Sequence, residues 1–242
     1  TCPRRYAIER RLRVGADPTV YLAFGSLIHK VLELTEKNAI EDGRTHGTTA
    51  EALEQLELQW DPAPFGGRPW ADAWKRRGKE ALAFAYEHWP HPGATPIALE
   101  HKLTLDVDGV SWRGIADRIE AEDGHVRIVD YKTSRSRPNA EETAASLQLG
   151  FYLLAAAADP DITGHGSPDA GELWMVAMQN VKSFPVVTFD PANLGDVEQR
   201  LRDVAAGIAG ERWEAAPHDR CDRCPVQLVC PAWPQGAKAY QS

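Results

Sequence analysis

Three consecutive segments of the chain have the two-residue period of β-strands, and only short turn sequences separate them. Ile97 to Val107 alternates apolar and polar side chains, and the Asp108-Gly109 pair after it is a strong hairpin signal. Val110 to Ala121 continues as a second strand, and Glu122 to Gly124 supplies another turn. His125 to Tyr131 is then a third, mostly buried strand. The sequence therefore predicts a three-strand meander at the centre of the fold.

Helical patterns lie on both sides of this meander in the sequence. Before it, apolar residues recur at helical spacing, and Thr48 or Thr49 is a plausible cap for the second of three helices: Val20–Ile40, Thr49–Trp60 and Trp70–Trp89. After it come a helix, two strands and a closing helix capped by Asp190, at Ala140–Ala158, Gly171–Met178, Phe184–Phe189 and Pro191–Gly210. This order predicts an α/β fold with a central mixed β-sheet flanked by helices.

Length and charge set wide limits on what the chain can be. Because no Pro-, Gly- and Ser-rich linker separates two complete patterns in its 242 residues, we expect one domain, with a helical part at 1–94, a core at about 95–190, and a closing helix and cysteine tail at 191–242. The net charge of −8 disfavours a nucleic-acid partner on average, but local clusters of Arg and Lys leave this open. No apolar run approaches a bilayer span and no signal peptide opens the chain, so we expect a cytoplasmic protein without membrane contacts.

Two acids and a lysine lie on the second and third strands of the meander. Asp117 is on the second strand, and Asp130 and Lys132 share one face at the end of the third because side chains alternate. Neighbouring buried carboxylates repel unless they share a cation, and oxygen ligands suit Mg²⁺ or Mn²⁺. A lysine beside such a cation can orient or deprotonate water and offset charge on a phosphate. Alternatively, Asp117 pairs with Arg118 or another base, and Asp130 and Lys132 form a surface ion pair.

Further motifs in the same order make the sequence similar to a known family. These motifs are Gly25 to His29 on the first helix, Glu100 opening the first strand, Gly114 to Arg118, Asp130 to Thr133, and Gln148 to Tyr152 on the helix after the meander. With them the chain resembles the PD-(D/E)XK nucleases, in particular the RecB-like branch of bacterial helicase–nucleases. The resemblance covers nearly the whole chain and implies a restriction-endonuclease-like fold.

The resemblance also implies a role for each matching residue. His29, Asp117 and Asp130 would be metal ligands together with the backbone carbonyl of Tyr131, and Lys132 would be catalytic. Gln148 and Tyr152 would line the site and contact DNA. Taken singly, His29 could be a core histidine, Glu100 could pair with a nearby base, and Gln148 and Tyr152, four apart on one helix face, could simply pack or hydrogen-bond.

The four cysteines are divided between the two ends of the chain. Cys2 opens the sequence, and Cys221, Cys224 and Cys230 form a C-x2-C-x5-C tail. Spacing alone allows two disulfides, a tetrahedral Zn²⁺ site or a [4Fe–4S] cluster. The chain resembles a RecB-like subgroup that includes AddB-type subunits, and this resemblance implies a [4Fe–4S] cluster that joins the termini as a staple.

Together these features predict a Mg²⁺- or Mn²⁺-dependent deoxyribonuclease that acts on single-stranded DNA ends in recombination and double-strand-break repair. No Walker motif Gly-x4-Gly-Lys-Ser/Thr is present, so a helicase domain or subunit would be a partner. Because the sequence starts at Thr1 rather than Met, we expect the C-terminal nuclease domain of a larger AddB- or AdnB-like protein. The alternatives are a catalytically silent, DNA-binding iron–sulfur module and a zinc-bound interaction domain.

Overall fold

A computed structural model describes residues 2–13, 19–134, 136, 138–178, 184–219 and 221–239, so Thr1 lies outside the described residues. Nine α-helices are found in these residues: α1 Pro3–Tyr6, α2 Val20–Glu41, α3 Thr49–Gln59, α4 Arg68–Glu87, α5 Ala140–Ala144, α6 Leu147–Ala157, α7 Pro160–Thr163, α8 Leu194–Ala209 and α9 Pro234–Ala239. The strands are β1 Thr95–Val107, β2 Val110–Glu122, β3 His125–Tyr131, β4 Ser167–Trp174 and β5 Val186–Thr188. None of the helices described is long and apolar enough to cross a bilayer.

The chain forms two compact units. The larger comprises residues 19–107 and 111–201, and the smaller comprises 1–18, 108–110 and 202–242. In the larger unit the described strands form one sheet in the order β1-β2-β3-β4-β5. The β2–β3 and β4–β5 pairs are antiparallel, whereas β3 and β4 are parallel, so the predicted meander and mixed sheet are confirmed. The prediction that both units make a single domain stays a prediction.

The central strand β3 is covered on both faces, which explains its continuous apolar run. Val129 and Tyr131 belong to a core cluster with residues of α2, α3 and α4. Asp130, between them in sequence, contacts Gln148 of α6. Helices therefore lie on both sides of the sheet, and a polar residue of β3 faces α6.

Two predicted helix starts are confirmed, because each has a capping residue that can be recognised in the sequence. The Thr48 hydroxyl accepts from the Glu51 N–H at 3.3 Å while the Glu51 carboxylate accepts from the Thr48 N–H at 2.8 Å, a capping box. Asp190 accepts from the Ala192 N–H at 3.0 Å and begins a 3₁₀ turn before α8.

Other boundaries were wrong. The single helix predicted over 140–158 is divided into α5 and α6, because Ser146 caps a new helix through the Leu149 N–H at 3.4 Å. The strand predicted to begin at Gly171 begins at Ser167 and ends at Trp174, where the chain turns. The strand predicted over Phe184–Phe189 is shorter, Val186–Thr188.

In the smaller unit, the first residues pack against the tail. The tail from Trp213 contains α9 and two 3₁₀ turns, Cys221–Arg223 and Gln227–Val229. The Tyr6 and Trp213 rings stack with centroids 5.9 Å apart, and the Arg11 guanidinium lies 5.6 Å from the Trp213 ring. The Ala216 N–H donates to the Cys2 sulfur at 3.3 Å. These contacts hold the first cysteine against the segment that carries the others.

Candidate metal and catalytic site

Asp117 joins three elements of the larger unit. Arg118 of β2 and Val129 of β3 are the last pair of the antiparallel ladder. Asp117 and Asp130 are each one residue beyond this pair, so they lie opposite each other. One Asp117 carboxylate oxygen contacts His29 Nδ1 of α2 at 3.0 Å, and the other accepts from the Tyr131 N–H at 2.5 Å. Arg118 contacts Glu36 and Glu120 instead, so the alternative of an Asp117–Arg118 pair is wrong, whereas His29 is the other base beside Asp117. The contacts bring His29 to the part of β2 and β3 where both acids lie.

Glu100 lies close to two of the predicted ligands, His29 and Asp117. It was placed at the opening of the first strand, but β1 begins at Thr95 and Glu100 lies inside it, with a left-handed φ of 48°. Residues other than glycine rarely adopt this conformation, and it changes the direction in which the Glu100 side chain leaves the strand. Ligand atoms of Glu100, His29 and Asp117 all lie within 4.8 Å of one another. The sequence placed Glu100 among the family motifs, but the left-handed backbone that accompanies this contact is visible only in the structure.

This three-residue group fits a small divalent cation. Ligands about 2.1 Å from Mg²⁺ lie no more than about 4.2 Å apart, which is compatible with the observed spacing. Burial, together with the charge of Asp117, raises the pKa of Glu100 to about 7. Burial works to lower the pKa of His29, but the hydrogen bond to Asp117 and the surrounding carboxylates outweigh it and raise that pKa. Neighbouring carboxylates contribute to both shifts, and a bound cation would offset their negative charge.

Asp130 and Lys132 form an ion pair next to this group, as their shared face predicted. The lysine is only partly exposed, whereas the carboxylate is buried, so this is not the surface pair of the alternative interpretation. Burial raises the pKa of Asp130, with Lys132 opposing the shift and the charge of Asp117 adding to it. Among the described residues the Asp130 carboxylate is not one of the ligand atoms that lie within 4.8 Å of one another, so Asp130 lies beside the three-residue group and not within it.

A hydrogen-bonded chain from α6 fixes this ion pair. The Gln148 amide donates to Asp130 at 2.7 Å and to the Tyr152 hydroxyl at 2.8 Å, while its oxygen accepts from Lys132 Nζ at 3.3 Å. The Tyr152 hydroxyl in turn donates to the Ile115 carbonyl at 2.8 Å. Burial raises the pKa of Tyr152 to about 12, so the hydroxyl keeps its proton for this bond. Gln148 and Tyr152 of α6 therefore belong to the site. Gln148 contacts Asp130 and Lys132 directly, and Tyr152 holds Gln148.

Two glycines allow the site elements to approach each other. A Cβ on Gly114 of β2 would lie 2.5 Å from the Tyr152 ring and 2.8 Å from the Phe151 ring. A Cβ on Gly25 of α2 would lie 3.2 Å from the Thr133 hydroxyl. Both positions belong to the motifs singled out in the sequence, and close packing explains the residue type.

Behind Asp117, a fully buried charge network anchors the strand. The Arg118 guanidinium donates to Glu36 at 2.8 Å, to Glu120 at 2.7 Å and to the Thr45 carbonyl at 2.8 Å. Glu36 also accepts from the Tyr86 hydroxyl at 2.7 Å. Because each of the three guanidinium nitrogens of Arg118 donates to a partner, the backbone next to Asp117 is held in place.

The four cysteines all belong to the smaller unit, are free of disulfides and are half-buried. No three of their sulfurs, all of which are among the described residues, lie within 4.8 Å of one another. Four thiolates on one Zn²⁺, each about 2.3 Å from it, would lie less than about 4 Å apart, so the arrangement does not match a closed zinc site. Partial burial works to raise the pKa of Cys2, but the N–H groups of Ala216, Arg5 and Arg4 outweigh it and lower the pKa.

Comparisons with known proteins indicate the family and the fold of the chain. A model of the PD-(D/E)XK nuclease superfamily matches residues 1–231. The Gene 69 proteins of Mycobacterium phages L5 and D29 are 24% and 27% identical to the chain; each alignment covers 96% of the chain, and 92% and 93% of the relatives. The crystal structure of a candidate exonuclease from Eubacterium rectale has the same fold, with a TM-score of 0.54 at 15% identity over 91% of this chain and 79% of that one.

Proposed function

The chain belongs to the PD-(D/E)XK nuclease superfamily, and on that premise we propose that it hydrolyses DNA phosphodiester bonds with Mg²⁺ or Mn²⁺. One observation carries the proposal: the Asp130–Lys132 ion pair lies beside the group of His29, Glu100 and Asp117. Together these side chains offer an oxygen-rich cation site and a fixed ammonium group close to the C-terminal end of β3. That combination suits chemistry on a phosphate.

The residues that would hold the cation are His29, Asp117 and Asp130, with the Tyr131 carbonyl, and the geometry adds Glu100 to this set. The cation, when bound, would stabilise charge developing on the phosphate and make a coordinated water more acidic. Since protons compete with cations for ligands, the raised pKa of Glu100, about 7, means that loading the site releases a proton there.

Lys132 would act on the water and the phosphate. Asp130 and the Gln148 oxygen hold its ammonium group, so the charge is placed without a large loss of entropy during the reaction. The water oxygen would lose one proton and form a bond to phosphorus, the bond from phosphorus to the leaving sugar oxygen would break, and that oxygen would take up one proton, so that one water is consumed for each bond. Gln148 and Tyr152 keep Asp130 in position throughout.

We propose single-stranded DNA ends as the substrate, in recombination and double-strand-break repair. Because the chain has no Walker motif, strand separation would come from a helicase domain or subunit. The motifs that resemble the RecB-like branch support this setting.

A cleavage assay on a panel of nucleic acids tests the proposed function. With Mg²⁺, we expect the purified chain to shorten end-labelled single-stranded DNA, to cut duplex only where an end is unpaired, and to leave RNA largely intact. EDTA should stop the reaction because no cation then holds the phosphate. Intact DNA under all cation conditions would favour a binding module without chemistry, and preferred RNA cleavage would overturn the substrate.

For the cysteines, we propose a [4Fe–4S] cluster held by Cys2, Cys221, Cys224 and Cys230, which ties the first residues to the tail. N–H groups directed at the sulfurs support it: Ala216 donates to Cys2 and His218 donates to Cys221, each at 3.3 Å. Such bonds stabilise cluster thiolates. A cluster attaches its cysteines to different iron atoms, so it tolerates wider spacing of the sulfurs than one ion does.

Replacing one ligand tests the cluster. We expect Cys230→Ser to lower the iron content from about four atoms per chain to fewer than one and to remove the absorbance at about 400 nm. The yield and the melting temperature of the protein should also fall. Leu228→Ser, at an exposed position of the same turn, is the matched control and should keep its iron. A stoichiometric zinc content in the wild type, or a folded and active iron-free Cys230→Ser protein, would contradict the cluster.

A further inference from the structure

Next to the catalytic site, the larger unit has a groove with aromatic walls that the proposed chemistry does not use. Its volume is about 630 Å³, and its lining includes Tyr21 and Phe24 of α2, Trp70 and Trp74 of α4, and Thr133. Tyr21 and Trp70 are each 70% exposed. Large aromatic side chains gain little stability at such exposure, so two of them at one groove indicate a binding surface.

The groove continues directly from the catalytic site. Thr133 follows Lys132 in sequence and lines the groove. On α2, Tyr21, Gly25 and His29 are spaced by four residues and therefore share one helix face, with Tyr21 about 12 Å along the axis from His29. Gly25, between them, allows Thr133 to pack against this face, since a Cβ there would lie 3.2 Å from the Thr133 hydroxyl. Thr133 therefore lies between the cation site and the exposed Tyr21 ring, and it lines the groove.

The walls of the groove are rigid and carry positive charge. Arg77 lies with its guanidinium carbon 4.7 Å from the Phe24 ring and 4.9 Å from the Trp74 ring, and it donates to the Thr133 carbonyl at 3.2 Å. The Tyr21 and Trp74 rings meet edge to face at 5.5 Å. Aromatic faces beside a fixed guanidinium suit stacked bases next to a phosphate backbone. A duplex keeps its bases stacked inside, so it cannot use such faces.

We propose that this groove binds the single-stranded segment of DNA next to the scissile phosphate, with unpaired bases stacked on Tyr21 and Trp70. The inference rests on the proposed nuclease function and gives it a source of single-strand preference. Stacking is tolerant of sequence because every base has a flat face, so the groove selects unpaired strands rather than particular bases.

The test compares oligo-dT with an abasic oligonucleotide of the same length, which keeps the phosphates but lacks bases. Fluorescence anisotropy in Ca²⁺, with intact DNA verified on a gel, measures binding separately from cleavage. We expect Tyr21→Ala and Trp70→Ala each to weaken oligo-dT binding about 5- to 20-fold and to leave the weaker abasic binding unchanged. Tyr21→Phe should bind as the wild type does. Leu58→Ala, at an exposed position on α3 outside the groove, is the control for losing an exposed apolar side chain.

Failures of the inference and of the proposed function give different results. If both alanine variants bind oligo-dT as tightly as the wild type and still cleave it, the groove does not bind bases, and a protein partner is the better occupant. Equal weakening of dT and abasic binding would also overturn stacking, because it would indicate lost phosphate contacts. If the wild type discriminates dT from abasic DNA but cleaves neither in Mg²⁺, the groove stands and the nuclease proposal fails.

Discussion

Lys132→Met should lower the rate of single-stranded DNA cleavage by about 10³-fold while metal binding is retained. Methionine has nearly the length of lysine but no charge, so the change removes the ammonium group that Asp130 and Gln148 hold. Lysine is not a ligand in the proposed site, and removing its charge should not weaken Mn²⁺ affinity. Single-turnover cleavage and Mn²⁺ titration calorimetry on the same preparation measure both quantities.

Lys37→Met is the matched control for this experiment. Lys37 is exposed on α2, and its replacement should leave the cleavage rate near that of the wild type. Lys132→Arg tests whether positive charge alone is sufficient: arginine keeps the charge but cannot release a proton, and its planar fork does not match the contacts of an ammonium group. A Lys132→Met protein that cleaves at the wild-type rate would remove Lys132 from the mechanism.

Arg118→Met should destabilise the fold by about 3–5 kcal/mol in the free energy of unfolding. Arg118 is fully buried, and its loss leaves Glu36 and Glu120 buried without their shared cation. Burial already raises the pKa of Glu36, with Arg118 as the main opposing influence. Urea unfolding followed by circular dichroism measures the change, and the midpoint should fall without a change in slope.

Two further variants distinguish the loss of this buried network from the general effect of removing a positive charge. Arg44→Met removes the partner of Glu51 at the surface, where water solvates the remaining charge, and its effect should be far smaller. Glu36→Gln combined with Arg118→Met removes one stranded carboxylate and should recover part of the lost stability. An Arg118→Met protein as stable as the wild type would show that the network does not hold the strand behind Asp117.

Local patterns in the sequence accounted for the sheet and much of the site. Turn dipeptides and alternation fixed the meander, and alternation also placed Asp130 and Lys132 on one face, where they form an ion pair. The spacing of Gln148 and Tyr152 on one helix face agrees with their hydrogen bond at 2.8 Å. These features depend on residues that are near in sequence, so simple periodicity detects them.

Contacts between distant residues could not be read in the same way. The Arg118–Glu36 pair joins β2 to α2 across 82 positions, and Glu36 on an apolar helix gives no sign that it is buried. The basic side chains between positions 75 and 79 of α4 also differ in their tertiary contacts. Lys75 and Lys79 pair with Glu57, whereas Arg77 packs between aromatic rings. Sequence charge alone does not distinguish these two outcomes.

The central claim is that a cation and Lys132 act together at the C-terminal end of β3 to hydrolyse DNA. The most direct measurement is the single-turnover rate on 5′- and 3′-labelled single-stranded DNA in Mg²⁺, in EDTA and after Mg²⁺ is restored, with Lys132→Met purified in parallel to exclude a contaminating nuclease. We predict cleavage that disappears in EDTA, returns with Mg²⁺, and is absent from Lys132→Met on the same time scale. Cleavage that continues in EDTA, or that Lys132→Met performs equally well, would contradict the account.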